Sequence, residues 1–89
     1  MIRCQLEIIN KLGLHARAAT KLASTAGRFS CRIRTGIQEP LVDAKSVMSL
    51  MLMAASRGTN LIFEFDGDDE QQAHNAIAEL IADYFGEGQ

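Results

Sequence analysis

No run of apolar residues in this sequence approaches the roughly 18 that a membrane-crossing helix needs, so no membrane insertion is expected. Arg3, Gln5 and Glu7 break up the start of the chain, which argues against a signal peptide. The only two cysteines, Cys4 and Cys31, form neither a C-x-x-C nor a zinc spacing. Both fall on the apolar phase of a strand pattern and read as small core thiols, although their spacing leaves a single disulfide open. Reduced thiols fit a cytoplasmic setting. There is no Gly-rich P-loop, no serine elbow and no metal triad. Asp66, Asp68, Asp69 and Glu70 cluster without the spacing of a calcium loop and read as turn and cap residues. Neither a metal nor a cofactor is therefore expected. A net charge of −2 supplies no overall basic footprint for nucleic acid. Arg28, Arg32 and Arg34 form one basic strip, but no aromatic residue is interleaved with it, so it reads as a solvated strand face.

What remains is a short chain rich in apolar residues, 89 in length and 47% hydrophobic. That length makes one domain, residues 1–89, with a single core between two packed layers. It leaves no room for a deep cleft, so any chemistry should sit at the surface and be completed by a partner. No tandem repeat, low-complexity tract or linker is visible.

Residues 2–8 alternate, with Ile2, Cys4, Leu6 and Ile8 on one face, and read as a half-buried strand. Asn10 to Gly13 is a loop. Over residues 16–27, Ala19, Leu22, Ala23 and Ala26 make one helical face, with Gly27 as a left-handed stop. Phe29, Cys31 and Ile33 mark a second strand, and residues 37–43 a third that Pro40 confines to an edge or a strand start. Residues 47–55 read as a short helix, and Leu61 to Phe65 as a fourth strand. In the final helix, Ala73, Ala76, Ile77, Leu80, Ile81 and Tyr84 form a stripe, and Asp69 with Gln72 resembles a capping box. The order β-α-β-β-α-β-α is met by an α+β fold: a four-stranded sheet covered on one face by three helices.

Gly13-Leu14-His15-Ala16-Arg17 places His15 at the start of the first helix. The first amides of a helix have no intrahelical partners and favour anions, phosphate included. The same positive end disfavours imidazolium and keeps the ring nucleophilic. A phosphoryl group on the ring would meet the amides of Ala16, Arg17 and Ala18, and the Arg17 guanidinium could reach its oxygens. Taken alone, a histidine before a helix is more often a surface or cap residue. His74 on the last helix reads as exposed and carries little functional weight. Val47, Met48, Leu50, Met51, Leu52 and Met53 surround the short helix. Either all are core, or some form an apolar docking patch, a role that suits methionine. Ser46 reads as the N-cap of that helix, where a phosphate would also be favoured.

Asn10-Lys11-Leu12-Gly13-Leu14-His15-Ala16-Arg17, followed by Ala18-Ala19, resembles the phosphorylation loop of the HPr family of bacterial phosphocarriers. Lys45 to Met51 and Ser56-Arg57-Gly58-Thr59 resemble the family's second signature and the turn after it. The resemblance implies an open-faced β-sandwich in which His15 takes a phosphoryl group on Nδ1 from phosphorylated enzyme I. His15 would then pass it to a histidine of an enzyme IIA protein in the phosphoenolpyruvate-dependent phosphotransferase system. It further implies support of the phosphoryl group by Arg17, docking through Val47, Met48 and Met51 with Lys45 at the rim, and Ser46 as the position a serine kinase modifies. Such a carrier is expected to be a cytoplasmic monomer and a transfer intermediate, without independent turnover. The family's common form has proline where this chain has Ala18. Alanine there restores an N–H donor, and with a Met-rich second helix it resembles the nitrogen-related (NPr-like) branch. The competing readings are a regulatory HPr-like module acting by contact alone, for which the His15–Arg17 pair would be superfluous, and an RNA-binding α+β domain, which would need exposed aromatics on the sheet.

Overall fold

A computed structural model describes all 89 residues. The chain runs β1 (Ile2–Glu7), α1 (Ala16–Gly27), β2 (Arg32–Gly36), β3 (Val42–Asp43), α2 (Val47–Met53), β4 (Asn60–Asp66) and α3 (Glu70–Ala82), then a 3-10 turn (Tyr84–Gly86). The four strands form one antiparallel sheet in the order β1-β4-β2-β3. This is the α+β architecture expected from the alternating and helical patterns. No helix is long and apolar enough to cross a membrane.

Strand register follows the two-residue alternation. Ile2 pairs with Phe65, Cys4 with Phe63 and Leu6 with Leu61, so the apolar members of β1 and β4 share one face. On the other side of β4, Ile33 pairs with Phe65 and Thr35 with Phe63. The Phe63 and Phe65 rings lie 5.8 Å apart at 12°, and with Ile8, Leu22, Leu50, Ile77 and Phe85 they fill the layer between sheet and helices. The opposite face carries Arg3, Glu64 and Arg34 in one row across β1, β4 and β2, with Arg3 paired to Glu64 and, at 2.9 Å, to Glu39. Such exposed pairs add little stability, and they leave this face without the stacking surface that RNA would use. Cys4 and Cys31 are both free thiols, Cys31 buried and Cys4 half-buried. Burial pushes the Cys31 thiol up to about 11. Half-buried His74 sets its ring edge-on to Phe65 at 5.5 Å.

Several boundaries differ from the expected ones. Gly27 stays within α1, and the helix closes through Arg28 in a right-handed conformation, so the left-handed freedom of glycine is unused there. β2 starts only at Arg32, because the amides of Ser30 and Cys31 donate to the Asp69 carboxylate instead of to a neighbouring strand. That contact also removes the expected capping box: Asp69 occupies the N-cap of α3 with its side chain turned away to residues 30–31. The third strand shrinks to Val42–Asp43, an edge pairing of two residues just after Pro40. α2 stops at Met53 because Ala54 adopts a left-handed φ of 52°. Tyr84 leaves the α3 stripe: the chain turns after Ala82, and Phe85 points inward while Tyr84 points out.

Hydrogen bonds from Ser30 and Cys31 hold the Asp69 carboxyl below the usual aspartate range. A depressed value stabilises the fold above the ordinary aspartate pKa of about 4, and that contribution disappears as pH falls through the folded-state value. Asp69→Asn should therefore lower stability at pH 7 and flatten the acid side of the stability–pH profile, as read from urea midpoints between pH 3 and pH 7.

Candidate phosphoryl-transfer site

The site begins where β1 ends. Ile8 is locked by two backbone bonds, its N–H to Thr59 O at 2.8 Å and its carbonyl from Gly58 N–H at 2.7 Å. The chain then turns tightly over Asn10 to Gly13. Asn10 is fully buried; its Nδ2 donates to Gly13 O at 2.8 Å, and Gly13 N–H donates to Asn10 O at 3.1 Å. Gly13 has a φ of +70°, and a Cβ at this position would lie 2.6 Å from Ala55 O, so only glycine fits. Leu14 N–H donates to Ala55 O at 2.8 Å, while the Leu14 side chain enters the core. With Leu14 pinned, His15 takes an extended backbone (φ −74°, ψ 178°) and forms the N-cap of α1.

His15 contributes no side-chain cap. The first intrahelical bond runs from Ala19 N–H to His15 O at 2.8 Å, so the amides of Ala16, Arg17 and Ala18 precede the helical ladder, as helix geometry requires. Ala16 and Arg17 are exposed, and Ala18 is buried. Arg17 makes neither an ion pair nor a side-chain hydrogen bond and is free to swing toward an anion at the helix end. Lys11, Arg17 and Lys21 line one groove with His15, a hollow of about 720 Å³ at the surface. Three cations against the one carboxylate of Glu87, together with a helix N-terminus, leave this groove with the net positive sign that phosphate needs.

Sequence reading missed two members of the site. The His15 ring does not stand fully open: it is 29% exposed, and its Nε2 meets the carboxylate of Glu87. The other Glu87 oxygen accepts from Asn10 Nδ2 at 3.0 Å. Burial opposes ionisation of Glu87, but hydrogen bonds from Asn10 and His15 and the charges of His15 and Lys21 outweigh it, and the carboxyl titrates below its ordinary range. Glu87 lies 72 positions from His15 with no periodic pattern around it. Its one local signal is its place between Gly86 and Gly88, both with positive φ. The role of Asn10 was hidden because buried asparagines and loop asparagines look alike in a sequence.

On α2 the apolar residues divide. Leu50 is buried, and Val47 and Met53 are half-buried against the core. Met48 (66% exposed), Met51 and Leu52 (80% exposed) face outward at i, i+3 and i+4. Met51 lines a second hollow beside His15 together with exposed Leu12, a loop residue without a periodic pattern to mark it. Lys45 is not brought into either hollow beside His15, because its Nζ donates to Phe29 O at 2.7 Å. Ser46 caps α2 as expected, its Oγ accepting from Ser49 N–H at 3.3 Å.

An imidazole at a helix N-terminus, with an unengaged arginine and an apolar collar, makes a surface site suited to a small anionic group rather than a deep catalytic cleft. Residues 2–83 match the family described as the PTS HPr component phosphorylation site. The chain is 50% identical over 86 residues to phosphocarrier protein HPr of Pseudomonas aeruginosa, covering 96% of each. It is 46% identical over 89 residues to HPr of Neisseria meningitidis serogroup A, covering all of both chains. The crystal structure of HPr-C-His from Thermoanaerobacter tengcongensis superposes with a TM-score of 0.92 at 40% identity, covering 98% of each chain. The chain belongs to the HPr family of phosphocarriers of the phosphotransferase system.

Gly13→Ala tests the loop. It should cost about 1–3 kcal/mol in urea denaturation, because the residue is strained at this φ and its Cβ collides with backbone. It should also shift the His15 ring resonances.

Proposed function

We propose that His15 accepts a phosphoryl group on Nδ1 from phosphorylated enzyme I and passes it to a histidine of an enzyme IIA protein. The observation that carries this reading is the placement of the His15 ring. Its Nε2 is engaged, its Nδ1 makes no hydrogen bond, and the residue is the N-cap of α1, lining one groove with Arg17. In the transfer, the Nδ1 lone pair bonds phosphorus as the donor's P–N bond breaks in line. The amides of Ala16, Arg17 and Ala18 and the Arg17 guanidinium then meet the phosphoryl oxygens. These contacts suit a carrier: they screen charge and align the group without enclosing it, so the group can leave again.

Docking is assigned to Met48, Met51 and Leu52 of α2, with Leu12 beside the ring and Val47 at the edge of the patch. Small apolar centres with charged rims suit transient complexes, and polarizable methionines accommodate more than one partner. Lys45 contributes at most from outside the His15 grooves, given its bond to Phe29 O. Ser46 is the position a serine kinase would modify; there a phosphate would displace the Oγ cap of Ser49 N–H and place a dianion beside the patch. The relatives compared above carry the name HPr and lend no support to the nitrogen-related branch. Transfer from the phosphorylated protein to sugar-specific and nitrogen-related enzyme IIA proteins, measured side by side, decides the branch.

With enzyme I and phosphoenolpyruvate the protein should gain one acid-labile phosphate, and His15→Ala should reduce uptake to background. Phosphate retained by that variant would overturn the assignment. Met48→Asp should slow transfer about tenfold, the loss expected for an interface anchor. Its urea stability should stay within about 0.5 kcal/mol of the parent protein, as for other exposed positions.

A further inference from the structure

We propose that Glu87 is a positioning residue for phosphoryl transfer: its carboxylate holds a proton on Nε2 of His15 and thereby reserves the Nδ1 lone pair for phosphorus. The inference rests on the phosphocarrier reading and adds to it a residue from outside both signature motifs.

The argument is one of donors and acceptors. Asn10 is fully buried, and its Nδ2 has two hydrogens: one donates to Gly13 O, the other to Glu87 Oε1. The orientation of the Asn10 amide is thus set by the loop that carries His15, and it fixes which oxygen of Glu87 remains for the ring. An ionised carboxylate only accepts, so the ring nitrogen facing Oε2 must carry the hydrogen. The depressed titration of Glu87 keeps it in that form at neutral pH. In a neutral imidazole with its hydrogen on Nε2, the lone pair is on Nδ1.

Glu87 is also held on both sides. Before it, Phe85 is buried and its carbonyl accepts from Lys21 Nζ at 2.6 Å. After it, Gln89 O accepts from Lys11 N–H at 3.1 Å. Tyr84, Phe85 and Gly86 adopt left-handed backbone in succession, φ 56°, 53° and 77°, which brings residues 87–89 over the histidine loop. Non-glycine residues in that region persist only where the surroundings enforce them.

During transfer the Nδ1–P bond forms as the donor's P–N bond breaks, and the proton stays on Nε2. The positive charge that develops on the ring is met by the Glu87 carboxylate. When the phosphoryl group departs, the electron pair returns to Nδ1 and no proton has to move. A carboxylate that sets the tautomer of a reacting histidine plays the same part in hydrolytic triads.

The test compares the parent protein with Glu87→Ala and Glu87→Gln. It uses 15N shifts of the His15 ring together with the rate of phosphate uptake from enzyme I and phosphoenolpyruvate. In Glu87→Gln the side-chain oxygen should stay with Asn10 Nδ2, turning the amide NH2 toward the ring. Nε2 must then accept, and the hydrogen moves to Nδ1. The expected order is parent fastest, Glu87→Ala slowed a few-fold, and Glu87→Gln slowest, down by about 10–100-fold, with its ring spectrum reporting Nδ1–H. A purely structural role predicts the reverse, with the isosteric glutamine milder than alanine. Glu87→Gln matching or exceeding Glu87→Ala in rate, or keeping the parent's ring spectrum, overturns the proposal. So does acceleration in Glu87→Ala, which would mark the carboxylate as an obstruction. If the parent protein took no phosphate, the phosphocarrier reading would fail, while the ring spectra of the same three proteins would still decide the tautomer.

Discussion

The close approach of Gly13 to the backbone of Ala55 and Ser56 governs where everything functional can stand. Without a Cβ, the loop after β1 lies directly on the segment after α2, and Leu14 N–H reaches Ala55 O at 2.8 Å. This bond joins two stretches that are distant in sequence and belong to different helices. Through it, the start of α1 and the outer face of α2 become neighbours, and Leu12 and Met51 come to line one hollow with His15. His15 and the exposed apolar face of α2 are therefore coupled by one backbone contact. Ala54, left-handed at φ 52°, turns the chain out of α2 just before that contact and offers the carbonyl of Ala55.

The site is assembled almost wholly from backbone and from residues that serve the fold as well. The amides of α1 would be unpaired in any helix start; here they fall beside an imidazole. Leu14 and Ala18 fill the core while placing the residues next to them. The Arg17 side chain and the exposed face of α2 make no such structural contact. A carrier that must release its cargo to a partner benefits from this sparseness, because each additional fixed donor would deepen the well in which the phosphoryl group sits.

Legibility in the sequence tracked periodicity. β1, α1, β4 and α3 bury one face at a regular spacing, so alternation or a 3.6-residue period revealed them and most of their core. The errors collect where a distant partner takes over a local group. Asp69 looks like a cap in sequence, yet residues 30–31 take its carboxylate, and the same contact delays the start of β2. Tyr84 continues the α3 stripe by spacing, yet Phe85 occupies the core position because the chain turns after Ala82.

The sequence by itself determined the layering, the sheet face that is buried, and His15 at the head of a helix with Arg17 two residues on. These depend on local period and on the electrostatics of a helix end, both of which a short segment carries within itself. Tertiary structure alone decided that Glu87 meets Nε2 of His15, that buried Asn10 orients that carboxylate, and that Leu12, Met51 and His15 share one surface. Those contacts join residues up to 77 positions apart through side-chain hydrogen bonds and backbone turns, and hydrogen bonds of that range leave no periodic trace in a chain.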